Sequence, residues 1–189
     1  MFRSLIILGL TAIATATAAH VPILAIEGKT VDAPYTIEDA EHSKAIYSIL
    51  DGDADFYRID ESKPFDFYVG LTAAKLEGCA LPQTFSFEIF DSDMTLIDSR
   101  DGSSVEWWSW YEEFGKKFYW VGPEIGKDFA STTVYPAGVY YIRVFNDANS
   151  GKYVLAVGDD ERFGIGTLLT IGRTVRETSK IFWDEDDCP

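Results

Sequence analysis

From Lys44 onward, apolar and polar residues alternate one for one in short runs, and each run ends in a cluster of Gly, Pro, Asn or Asp. A period of two places successive side chains on opposite faces of an extended chain, so this stretch is restricted to strands that bury one face each. In FDFYVGL, Phe65, Phe67, Val69 and Leu71 share a face, with Asp66 and Tyr68 opposite; in TFSFEIF, Phe85, Phe87 and Ile89 do the same. GVYYIRVF aligns Tyr140, Ile142 and Val144 against Arg143, and KYVLAV aligns Tyr153, Leu155 and Val157. The turn-rich NDANSG between the last two predicts a hairpin. The expected fold class is mainly β, an antiparallel sandwich spanning residues 44–160 whose first well-defined strand is KAIYSIL.

Three regions depart from alternation. Residues 20–43 are acidic, polar and turn-like. Residues 102–128 hold all but one of the five tryptophans, too aromatic for a disordered linker, and predict either a face packed on the sandwich or a binding surface for a protein or glycan partner. Residues 161–189 space Ile165, Leu168, Leu169, Val175 and Phe182 at helical intervals, with Gly166 and Gly172 weakening a helix there.

The chain opens with Arg3, an apolar run from Leu5 to Ile13 and small residues up to Ala19. That is the layout of a secretory signal peptide over residues 1–19, and its apolar run is shorter than the roughly 20 residues that cross a bilayer. The expectation is a secreted, periplasmic or cell-surface protein with no membrane span. A formal charge of −15, from 31 acidic and 16 basic residues, argues against nucleic acid or anionic lipid and suits divalent cations or basic partners. In an oxidising compartment Cys79 and Cys188 suggest one disulfide tying down the tail, with two free thiols or an intermolecular bridge left open.

With His20 and His42 the only histidines, histidine-based hydrolases have little material. No phosphate-cradling loop, H-E-x-x-H or C-x-x-C occurs. In DGDADFYRID, Asp51, Asp53 and Asp55 match the first ligand positions of an EF-hand, but Phe56 and Ser62 stand where Gly and Glu are required. The stretch predicts a turn at Gly52 that opens a strand with Tyr57 and Ile59 inward. Calcium at this junction would take Asp53 and Asp55 from the turn and Glu38, Asp39 or Glu41 from the segment before it, because calcium needs six to eight oxygens. A second reading uses His20: at a mature N-terminus its amine and imidazole, with His42, would form a copper site for a redox protein. A pair of glycosidase-like carboxylates has no distinguishing spacing among so many acids.

PAGVYYIRVFNDANSGKYVLAVG resembles the closing strands of the bacterial pre-peptidase C-terminal (PPC) domain, with its Gly-x-Tyr-x-Val-x-Val run and following Gly-x-Tyr-x-Leu strand. IEDAEHSKAIYSILDGDADFYRID is similar to that family's opening, an acidic segment, a strand and Gly-Asp-x-Asp-x-Tyr. The same elements look like those of a set of uncharacterised exported proteins. The resemblance covers Ile37 to Val157 without the tryptophan-rich insertion. It implies a jelly-roll sandwich acting as a non-enzymatic binding module, with Glu38, Asp39, Glu41, Asp53 and Asp55 as calcium ligands. A peptidase, the usual neighbour in that family, does not fall within residues 1–189.

Overall fold

The computed structural model describes residues 20–113, 115–162, 165–184 and 188. The expected signal peptide lies outside them. Strands, in chain order, are β1 (Val21–Leu24), β2 (Tyr35–Ile37), β3 (Lys44–Asp51), β4 (Asp55–Glu61), β5 (Phe65–Asp66), β6 (Val69–Ala74), β7 (Ser86–Phe90), β8 (Leu96–Arg100), β9 (Trp108–Glu112), β10 (Lys117–Ile125), β11 (Val134–Tyr135), β12 (Gly138–Phe145) and β13 (Ser150–Val157), followed by helix α1 (Ile165–Trp183). One sheet runs β1-β3-β13-β6-β10-β9 and the facing sheet β2-β4-β12-β7-β8, with β5 and β11 paired separately. This is the mainly β sandwich that the alternation predicts.

The inward sets match the period-two reading. Phe65, Phe67, Val69, Leu71, Phe85, Phe87, Ile89, Ile142, Val144, Leu155 and Val157 fill one core with Tyr57, Ile59 and Tyr153. Full burial of each such side chain contributes about 1.5–3 kcal/mol relative to exposure, so the core fixes which face of every strand turns inward. Tyr68 is also buried, at 1% exposure, because Gly126 in the β10–β11 connection lies against its ring.

Two expectations are corrected. First, β12 and β13 are not a hairpin: β12 pairs with β4 and β7 in one sheet, while β13 pairs with β3 and β6 in the other. Alternation fixes the buried face of a strand but not the sheet it joins. Residues 146–149 therefore carry the chain across the sandwich, as residues 52–54 do between β3 and β4. The two crossings lie side by side, with the Gly52 N–H donating to the Asn149 carbonyl at 2.8 Å. Gly52 takes a φ of 95°, a conformation open to glycine at no steric cost. Second, KAIYSIL is not the first strand. The short β1 and β2 precede it and run parallel to β3 and β4 at the sheet edges.

Helix α1 crosses the outer face of the larger sheet. Ile171, Thr178 and Phe182 are buried and Val175 half-buried, the i, i+4, i+7, i+11 spacing of one helical stripe. Phe182 joins Tyr47, Tyr119 and Val154 in a second apolar cluster flanked by Trp110 and Trp183. The expected Cys79–Cys188 disulfide is present, closing a separation of 109 residues and fixing the chain end beyond the helix.

Candidate functional site

The acidic turn orders itself around Asp55, whose side chain points inward from the first position of β4. Its Oδ2 accepts from Ser48 Oγ at 2.9 Å and Tyr153 Oη at 2.5 Å, and lies 3.2 Å from Lys29 Nζ. The same ammonium donates to the carbonyls of Ala25 at 2.9 Å and Glu27 at 2.7 Å. Three oxygens thus surround a cation that belongs to the chain. Burial, with Asp55 next in effect, holds the Tyr57 hydroxyl well above its ordinary range, and Tyr57 bonds Tyr153 at 2.6 Å. Asp53 points to solvent.

The second acidic segment is closed in the same manner. Lys44 Nζ donates to the Asp39 carbonyl at 2.5 Å and the His42 carbonyl at 2.8 Å. Arg162 pairs with Asp39 at 3.2 Å, Glu41 Oε1 accepts the Asp66 N–H at 2.9 Å, and Glu38 is exposed. Because β2 is level with β4 through Ile37 and Ile59, Glu38, Asp39 and Glu41 lie beyond Ile59, roughly 20 Å along the strand from Asp53 at about 3.3 Å per residue. The five carboxylates proposed as calcium ligands are therefore not brought together. Among the described residues, no three His, Cys, Asp or Glu side chains stand where they could hold a metal ion.

The two histidines are also engaged apart. His20 Nδ1 bonds Ser43 Oγ, and His42 Nε2 meets the Arg162 carbonyl at 2.8 Å. Burial lowers the His20 imidazole to about 4, keeping it neutral near pH 7.

The tryptophan-rich segment forms the β9–β10 hairpin at the edge of the larger sheet, and its rings divide between two roles. Trp107 finishes the core: its Nε1 donates to the Gly102 carbonyl at 2.9 Å, and a Cβ on Gly122 would stand 2.4 Å from its ring. Trp110 packs against Phe129 and Tyr119, at centroid distances of 4.9 and 5.9 Å, while Trp120 lies beneath Lys75 Nζ at 4.4 Å. Trp108, Tyr111 and Phe118 face solvent at 47%, 38% and 50% exposure, with the Tyr111 and Phe118 rings 4.8 Å apart.

The hairpin is braced from behind by Glu124. Its carboxylate accepts the Asp128 N–H at 3.1 Å, the Phe129 N–H at 3.3 Å and the Tyr68 hydroxyl at 3.2 Å. These bonds hold Asp128 and Phe129 at φ values of 53° and 65°, and such a conformation costs a bulky residue about 1–2 kcal/mol. The strained turn sets the Phe129 ring against both Trp108 and Trp110. Sequence reasoning named the tryptophans but missed Glu124, Phe129 and Lys75, for which no local pattern signals a role. Under α1, a cavity of about 60 Å³ is lined by Tyr47, Trp110, Tyr119, Phe129 and Trp183. It has room for a water or two, whereas the hairpin exposes Trp108 on one of its faces and the Tyr111–Phe118 pair on the other.

No protein-family model matches the chain, and no curated protein matches it. Among solved structures, the catalytic domain of GH87 alpha-1,3-glucanase in complex with nigerose is similar at a TM-score of 0.32 and 14% identity, covering 62% of this chain and 22% of that one. A single-residue variant of that domain, also with nigerose, gives the same values. The chain thus spans about a fifth of those structures, and at that TM-score the likeness bears on neither fold nor function.

Proposed function

We propose that the chain is an exported, non-enzymatic β-sandwich module that attaches to a protein or glycan through the β9–β10 hairpin. The observation that carries this reading is the exposure of large aromatic rings on both faces of one edge hairpin, Trp108 on one and Tyr111 with Phe118 on the other. Exposed large aromatics on a rigid support supply contact area at low entropic cost, which is why such residues dominate interface energetics. Export is supported by the signal-like opening and by the Cys79–Cys188 bridge, since disulfides persist in oxidising compartments. Kinship with the PPC jelly roll belongs to the same proposal. Its support is that the two quoted motifs form the neighbouring crossings at Gly52 and Asn149.

The test is retention of the purified chain on immobilised polysaccharides and matrix proteins. Wild type is retained on at least one, whereas Trp108→Ala with Phe118→Ala is not, at an unchanged unfolding midpoint. Equal retention of both proteins removes the hairpin as the binding face.

A further inference from the structure

We infer that the free edge of β9 takes an extended, net-basic peptide segment of a partner protein as an added strand, an inference that rests on the hairpin reading above and names its partner. β9 ends the larger sheet, and among the described residues nothing pairs with its outer side. The direction of its backbone groups follows from the register. Phe118 stands opposite Tyr111, yet the Phe118 carbonyl accepts from the Lys75 N–H at 3.0 Å on the other side of β10. Phe118 and Tyr111 are thus a non-hydrogen-bonded pair, and by alternation so are Trp120 and Ser109. The N–H and C=O groups of Ser109 and Tyr111 therefore point away from the sheet, spaced as an incoming strand requires.

Sheet edges are ordinarily protected by Pro, Lys or a bulge. Trp108–Glu112 contains neither residue, its one charged side chain is Glu112 at the end of the strand, and its register with β10 is unbroken. Side chains of an added strand would alternate between its faces. On one face they meet Trp108 and Phe129, and on the other Tyr111 and Phe118, so both sets fall on aromatic surface. The chain's overall charge of −15 favours a basic segment through long-range attraction and opposes pairing with a second copy, while Lys75 and Lys117 are the cations that stand beside the hairpin.

The probe is a displayed library of random dodecapeptides selected on the full chain. Enriched peptides are expected to be net basic, and their binding should raise hydrogen-exchange protection at the Ser109 and Tyr111 amides. Ser109→Ala should bind as wild type, whereas Ser109→Pro, which removes only an outward N–H, should bind about tenfold more weakly. Tyr111→Pro repeats the test should Ser109→Pro fail to fold. Absence of enriched peptides, equal binding by the proline variants, or a dimer abolished by Ser109→Pro each overturns the added strand. Retention on a glycan or matrix protein that survives Ser109→Pro but not Trp108→Ala with Phe118→Ala would leave the hairpin reading standing while this inference falls.

Discussion

Lys29 Nζ lies 3.2 Å from Asp55 Oδ2, and both side chains are only 5% exposed. With the Ala25 and Glu27 carbonyls also on the ammonium, the chain supplies its own cation at the turn where calcium was expected. The pair ties the segment ahead of β2 to the crossing between β3 and β4.

Removing one partner of a buried pair leaves the other charge uncompensated, at a cost of about 3–5 kcal/mol. Lys29→Met is therefore expected to lower stability by that amount in denaturant titration, and Asp53→Asn to leave it nearly unchanged. For wild type, unfolding midpoints in calcium and in chelator should coincide. A rise in calcium that Asp53→Asn abolishes would favour calcium at this turn.

The reach of the sequence is seen in these residues. Asp55 was legible as the start of a strand because Tyr57 and Ile59 alternate after it. Its partner was not, since Lys29 sits in a polar stretch whose only signal is proximity in the folded chain. Alternation likewise identified β12 and β13 while leaving their sheets undetermined, and β1 and β2 are too short to show a period. Within the tryptophan-rich segment, adjacent Trp107 and Trp108 point to core and solvent, a division set by the glycine space at Gly122 and not by residue type.

That space predicts the effect of Gly122→Ala. The added methyl would overlap the Trp107 ring, and overpacking a core costs about 1–3 kcal/mol. Calorimetry should show a midpoint lower by several degrees, and Gly172→Ala, where nothing lies within 4 Å of the added carbon, should show no loss.

Alkaline pH is expected to unfold the protein. Burial pushes the Tyr47 hydroxyl up to about 12, raises those of Tyr57, Tyr68 and Tyr119 further, and holds that of Tyr153 well above its ordinary value. Between the unfolded value near 10 and these raised values the native state holds more protons, so stability is complete below pH 10 and falls as pH rises. Tyrosinate absorbance from these rings should therefore appear together with loss of near-ultraviolet circular dichroism. Their ionisation in a folded protein would contradict the burial.

The disulfide is expected to stabilise by at most about 4–5 kcal/mol through the long loop it closes. Thiol counting on unreduced, unfolded protein should find none. Cys79→Ser with Cys188→Ser should lower the midpoint and loosen Trp183, whose Nε1 bonds the Phe118 carbonyl at 3.1 Å.

If the outward rings of the hairpin serve binding and not the core, thermal unfolding of one variant separates the two roles. Trp108→Ser, Tyr111→Ser and Phe118→Ser combined should keep the wild-type midpoint to within about 1 kcal/mol of stability while retention on polysaccharide or matrix protein is lost. A fall of the size expected for emptying a core site, about 3–5 kcal/mol for a single Phe or Trp, would show instead that these rings hold the sandwich together.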